Sequence, residues 1–333
     1  MKADPVTALF RRLVVLLSLV VLAWPLAVGA QQATTPTIAV LGTASLQSYT
    51  QLMEGFYQGL AETGYEAGKN IVVEQRWADG NYDRLRQMAA EFATSQAAVI
   101  FASANAAAIE ARKATSKIPI VFVVGIDPVE YGLADSLGRP GGNTTGTVIF
   151  ASFLVEKRLQ ILRDLVPSAS VVAFLGNPKN PNFKTDVAVA TKTLNSIGAK
   201  LEVVHASSPE QIDAAFARLV EQRVNAVFVS VDPFFADRRE QIVGLAARNN
   251  LPAIYDRRDF AAAGGLISYG SRYADSYRQA GIYVGRILKG EKAANLPIQL
   301  PTRFELAINI KTAKALGIQL PSQLLLAADE VIE

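Results

Sequence analysis

The chain reads as an α/β protein of two lobes, each built on a sheet of parallel strands, and two features of the sequence carry that reading. The first is a repeat. A helix ending at Gly64, a strand, a helix, an apolar strand and a second helix lead to Ile118-Pro119-Ile120-Val121-Phe122; a helix ending at Gly198 later opens the same succession, which closes on Leu251-Pro252-Ala253-Ile254-Tyr255. The second is residues 127–146, which follow an apolar run and carry four glycines and a proline in their second half. Such punctuation marks a seam between lobes. Strands alternating with helices at these lengths pair in parallel through right-handed crossovers.

In the first lobe, residues 37–41 form the opening strand. Ser48 and Gln51 have capping-box spacing, so a helix starts near them, with Leu52, Phe56 and Leu60 on one face and Gly64 just past its end. Residues 70–74 are the second strand; a turn at Trp77-Ala78-Asp79-Gly80-Asn81 leads to a helix whose Leu85, Met88 and Phe92 share a core face. Residues 97–102 are an apolar strand, Ser103-Ala104-Asn105 opens an alanine-rich helix, and residues 118–124 are a buried strand ended by Asp127-Pro128.

In the second lobe, Leu159, Leu162 and Val166 mark a helix stopped by Pro167, and the strand over residues 171–175 runs into the asparagine-rich loop at residues 176–182. Residues 200–205 and 226–231 are strands. Between them Ser208, Pro209 and Gln211 supply a cap, a first-turn proline and a box residue for a helix. A strand over residues 266–269, a long amphipathic helix over 273–288 and a last apolar strand over 304–310 complete the chain before a short helix to Leu316 and Pro321.

A chain of 333 residues, half of them hydrophobic, is long enough for two domains that each bury a core. The net charge of +3 owes much to the first 30 residues, which hold Lys2, Arg11 and Arg12 against Asp4; without them 30 basic residues face 29 acidic ones. That is no electrostatic footprint for nucleic acid. Those first residues read as a cleavable export leader: Arg11-Arg12, an apolar stretch over 13–23, and the small-residue site Val28-Gly29-Ala30 before Gln31. The chain has no cysteine, which excludes disulfides and a lipid-modified cysteine.

In doubly wound sheets, ligands bind outside the carboxyl ends of the strands. The polar residues at those ends are Thr43, Ser45, Trp77, Ser103, Asn105 and Asp127 in the first lobe, and Asn177, Asn180, Asn182, Asp232, Tyr255 and Asp256 in the second. Each singly also serves as a cap or turn residue; their convergence makes a ligand site. Helix N-termini there favour a carboxylate, and an acid facing them favours an ammonium. Asp127 and Asp232 both precede a proline and suit N-caps, but Asp127 has Glu130 as a box partner while Asp232 has Phe235, so Asp232 is the candidate for an ammonium or hydroxyl.

Catalytic patterns are thin. The single histidine, His205, lies on a strand without a serine elbow, metal-ligand spacing is absent, and no phosphate loop or dinucleotide fingerprint opens a helix after the first strand. Two lobes, a cleft and export without a catalytic group or cofactor point to binding, not catalysis.

Gly55-Phe56, Gly59-Leu60, Gly64-Tyr65, Ala78-Asp79-Gly80, Ile118 to Phe122, Asp127-Pro128-Val129 with Gly132, and Arg139-Pro140-Gly141-Gly142-Asn143 with Thr145-Gly146 together resemble the tryptophan/tyrosine-type substrate-binding proteins of ABC transporters. Ser268-Tyr269-Gly270, the helix end at Arg286 to Gly290, Asn309 with Thr312-Ala313, Leu316-Gly317 and Ala328 to Ile332 extend the resemblance over nearly the whole mature chain. It implies a type I periplasmic-binding-protein architecture, two Rossmann-like lobes joined by crossing strands: residues 36–148 with about 272–298, and 149–271 with about 299–333. It also implies a monomer free in the periplasm of a Gram-negative cell that closes on a small organic solute, an amino acid, aromatic or related carboxylate, and docks on an ABC permease in the inner membrane. A ligand sensor for a membrane receptor and an exported enzyme on the same scaffold are the alternatives.

Overall fold

The computed structural model describes residues 35–333; the export leader read over residues 1–30, and the lead after it up to residue 34, lie outside the described residues. Five strands, β1 (Thr37–Gly42), β2 (Val72–Trp77), β3 (Val99–Ser103), β4 (Ile120–Val124) and β5 (Thr144–Val148), form one parallel sheet in the order β2-β1-β3-β4-β5. Seven more, β6 (Val171–Gly176), β7 (Lys200–His205), β8 (Ala226–Val229), β9 (Ala253–Tyr255), β10 (Ile267–Ser271), β11 (Phe304–Asn309) and β12 (Glu330–Ile332), form the second in the order β12-β11-β10-β9-β8-β6-β7. From its β7 edge the second sheet runs β7-β6-β8-β9-β10, the order of the first. The sequence repeat is therefore a topological repeat.

The second sheet is not wholly parallel, because β11 pairs antiparallel to β10. The cause is the path of the chain. After β10 it crosses to the first lobe as helix α10 (Tyr273–Leu288), and it re-enters the second lobe from the opposite direction. The other helices are α1 (Leu46–Glu62), α2 (Tyr82–Ala93), α3 (Asn105–Ala114), α4 (Val155–Leu165), α5 (Phe183–Ser196), α6 (Pro209–Glu221), α7 (Pro233–Asp237), α8 (Arg239–Arg248), α9 (Arg258–Ala262), α11 (Ile310–Ala315) and α12 (Ser322–Ala327). Helices cover both faces of each sheet, giving two apolar clusters per lobe; β1, β3 and β4 are buried throughout, save the first residue of β1.

Three expectations are corrected. Residues 127–146 are not the seam: residues 127–143 are an excursion between β4 and β5, and the chain leaves the first sheet only after Val148. The threonine-rich β5 follows that excursion, and Gly146 breaks its pattern; a methyl group there would stand 2.1 Å from the Phe122 carbonyl oxygen, so glycine is needed for β4 and β5 to meet. Helix α1 starts one turn earlier than the Ser48–Gln51 spacing predicts, with Ser45 as N-cap. Asp127 caps only a turn, its carboxylate accepting from the backbone N–H groups of Val129 at 2.8 Å and Glu130 at 3.2 Å, and no helix follows it.

Helices α1 and α10 meet backbone to backbone. A methyl group on Gly59 would lie 1.9 Å from the Arg278 carbonyl oxygen, and one on Gly281 would lie 2.1 Å from that of Phe56. Gly59→Ala and Gly281→Ala must therefore push the helices apart, and each is expected to lower stability by about 1–3 kcal/mol in urea unfolding. Gly244→Ala on α8, where the nearest atom is the end of Arg248 at 3.4 Å, is the control and should be neutral or stabilising by about 0.5–1 kcal/mol.

Candidate functional site

The carboxyl ends of the two sheets face each other across a cavity. Its lining comes from the residues that follow the strands: Ala104 and Asn105 after β3, Gly125 after β4, Asn180 after β6, Val231 and Asp232 after β8, and Asp256 with Arg257 after β9. The remaining wall is aromatic and apolar, from Tyr49 on α1, Tyr273 and Tyr277 on α10, and Val123 and Ile149. The cavity volume is about 30 Å³, room for about two waters.

Asp232 is the most elaborately held group. It is the N-cap of α7, accepting from the Phe234 N–H at 2.8 Å; Asn177 donates to it at 3.2 Å, Asn180 at 2.6 Å, and the hydroxyl of Tyr82 reaches it from the first lobe at 3.4 Å. Burial pushes its carboxyl up to about 6, against the pull of the two asparagine amides and the α7 backbone. The asparagine-rich loop is thus a cradle for this carboxylate.

A second charged group, Arg257, lines the same cavity. The Arg257 guanidinium pairs with Asp259 and lies 5.7 Å from the Tyr49 ring centre and 5.5 Å from that of Tyr273. Burial opposes its charge, but the Asp259 carboxylate more than offsets this and holds Arg257 protonated. Asp256 accepts from the Tyr273 hydroxyl at 2.7 Å; burial raises its carboxyl, while Arg257 and Arg158 draw it down.

Of the residues expected from strand ends, Asn105, Asn180, Asp232 and Asp256 line the cavity. Asn177 stands behind Asp232, and Asn182 bridges the lobes by accepting from the Asn105 amide at 3.1 Å. Ser103 shares a 2.5 Å hydrogen bond with the Tyr277 hydroxyl, and Trp77 packs 5.6 Å from Tyr49, so both brace the aromatic wall from outside. Thr43 donates to the Ser103 carbonyl at 3.3 Å, Ser45 caps α1, and Asp127 stays in its turn. Tyr255 points into the second lobe's core, stacked 4.8 Å from Phe260.

Among the lining residues the sequence reading missed, the aromatic and charged ones are Tyr49, Tyr273, Tyr277 and Arg257. Arg257 follows Asp256 directly, so extending the strand-end rule by one residue finds it. The tyrosines carry no such signal: at helical spacing they look like core.

The family model described as ABC transporter substrate binding protein matches residues 37–332. The chain is 28% identical over 276 residues to the tyrosine-binding protein of Clostridioides difficile (strain R20291), covering 82% of this chain and 78% of that protein. Among solved structures, a conserved domain protein from Vibrio cholerae O1 biovar El Tor is similar at TM-score 0.83 and 26% identity, over 90% of this chain and 100% of that one. The ABC domain from Streptococcus pneumonia in complex with L-Trp gives 0.82 at 24% identity, over 90% and 100% of the two chains.

The raised Asp232 carboxyl has a consequence for stability. Its folded form holds a proton to about pH 6 whereas an unfolded aspartate releases it near 3.9, so its contribution is full below about pH 4 and is lost as pH rises through 6. The stability of Asp232→Asn relative to wild type should therefore increase between pH 4 and pH 7, by about 2–3 kcal/mol, as read by urea unfolding across that range.

Proposed function

We propose, for a chain that belongs to the ABC transporter substrate-binding protein family, that its small-molecule ligand is an amino acid with an aromatic or other apolar side chain. The family binds ligands and does not transform them. The observation that carries the ligand class is the Asp232 carboxylate facing a cavity walled by Tyr49, Tyr273 and Tyr277: an ammonium acceptor beside aromatic faces. The tyrosine bound by the C. difficile relative and the L-Trp held by the Streptococcus domain support the same class.

An amino acid needs more room than about 30 Å³, so the lobes must part to admit it. The moving bodies are residues 36–148 with 272–298 and residues 149–271 with 299–333, turning about the three crossings of the chain. The protein acts as a monomer outside the cytoplasmic membrane, reached through its amino-terminal leader, and hands the solute to the permease of an ABC importer. Intact mass of the exported protein checks the leader: a mature chain beginning near Gln31 is expected, and a mass retaining residues 1–30 contradicts it.

Calorimetry with L-tyrosine and L-tryptophan, and with the same molecules lacking the amino group, tests the ligand class. The amino acids should bind and the deaminated acids should not, and saturation at about a hundred times the dissociation constant should add about 2.7 kcal/mol of stability. Asp232→Ala should cost about 1.5–3 kcal/mol of binding to the amino acid. Affinity should also fall as pH drops below about 6, because a protonated Asp232 no longer pairs with an ammonium, and Asp256 acts in the same direction. Failure of every apolar and aromatic amino acid to bind overturns the reading.

A further inference from the structure

Outside the cavity the lobes are joined by a contact at the start of α1. Ser45 caps this 17-residue helix poorly by itself: its hydroxyl accepts from the Ser48 N–H at 3.4 Å, and the first turn holds no acidic residue. The missing anion comes from the other lobe. The Asp237 carboxylate accepts from the Ser45 N–H at 2.9 and 3.2 Å, from the Ser45 hydroxyl at 2.7 Å, and from the Ser48 hydroxyl. A carboxylate at a helix start, held by the N-cap N–H and the hydroxyls of the first turn, is favoured by both hydrogen bonding and the helix dipole.

Asp237 is the last residue of α7, and α7 begins after Asp232. One five-residue helix therefore carries the cavity carboxylate at its start and the interlobe carboxylate at its end. It also rests on the first lobe in between: Phe234 packs against Gly80, where a methyl group would come within 3.2 Å of the ring, and Ala236 lines the cavity. Any movement that opens the cleft at Asp232 must pull Asp237 off α1.

We infer that Asp237, with Ser45 and Ser48, is a closure latch: a positioning group that touches no ligand but sets the balance between open and closed lobes, and through it the affinity of the site. A closed form populated to a smaller fraction binds its ligand more weakly by that fraction. The inference rests on the cleft being the binding site, but its test reads the lobes without ligand.

The chain has no cysteine, so Gln87→Cys on α2 and Lys184→Cys on α5, both exposed and on opposite lobes, give a unique spin-label pair for distance measurement. In the ligand-free protein, Asp237→Asn should shift the distance distribution to longer values than wild type. Ser45→Asp is the sharper variant. It supplies the α1 cap within its own lobe, so the melting temperature should hold or rise, while its repulsion of Asp237 opens the cleft. A merely structural cap would give stability without opening. Both variants should bind L-tyrosine or L-tryptophan about tenfold more weakly, since each 1.4 kcal/mol of lost closure is a factor of ten. Distance distributions that match wild type in Ser45→Asp overturn the latch, whether or not Asp237→Asn folds. If neither amino acid binds wild type, the ligand class fails and the distances still decide the latch.

Discussion

The near contact of α1 with α10 is the constraint from which the rest of the molecule follows. Three glycines, Gly55, Gly59 and Gly281, stand where a methyl group would come within 1.9–2.9 Å of a backbone oxygen of the facing helix. Helices this close bury their backbones against each other, and the Arg278–Glu62 ion pair closes the exposed rim. The pairing draws the chain back from the second lobe after β10. That return forces the third crossing and the antiparallel entry of β11, and it sets Tyr273 and Tyr277 beside Tyr49. The aromatic wall of the cavity is thus a product of helix packing about a turn away from it.

The polar half of the cavity has a different origin. Carboxylates and guanidinium groups at this depth survive only with partners. Asp232 has two asparagine amides and a helix N-terminus, Arg257 has Asp259 and two tyrosine faces, and Asp256 has the Tyr273 hydroxyl. Behind them Arg158 is buried with one hydrogen bond, 2.6 Å to the Ala151 carbonyl, at the first crossing of the chain. Burial lowers its pKa, with Asp256 and Asp186 acting against that. The charges that give the site its chemistry are therefore held chiefly by the second lobe. The first contributes Tyr49, Tyr273, Tyr277, Asn105 and the reach of Tyr82.

This division explains the unequal legibility of the site. Asn105, Asn180, Asp232 and Asp256 lie in the loops that leave the carboxyl ends of strands, and in a doubly wound sheet chain position alone sends such residues to one edge. Tyr255 obeys the same rule and yet turns inward, because side chains alternate along a strand and its neighbour Asp256 takes the outward place. Strand β5 escaped notice because it is threonine-rich and not apolar: it is paired by β4 and by Gln299, which exchanges backbone hydrogen bonds with it at 2.9 and 3.0 Å, and its Thr145 hydroxyl donates to the Leu296 carbonyl at 2.7 Å.

What the sequence determined alone was local and periodic: the repeated βα succession, the buried strands, the cap at Ser208, and hence the two-sheet class. Those depend on hydrophobic spacing and turn chemistry within a few residues. Tertiary structure decided what no local pattern encodes: that β11 runs against β10, and that tyrosines packed into the first lobe's core also line the cavity. It also decided that Asp237, an unremarkable acid at the end of a short helix, caps a helix 189 residues away at Ser48. Each of these joins residues far apart in sequence, and their meeting is fixed by how closely two backbones can approach.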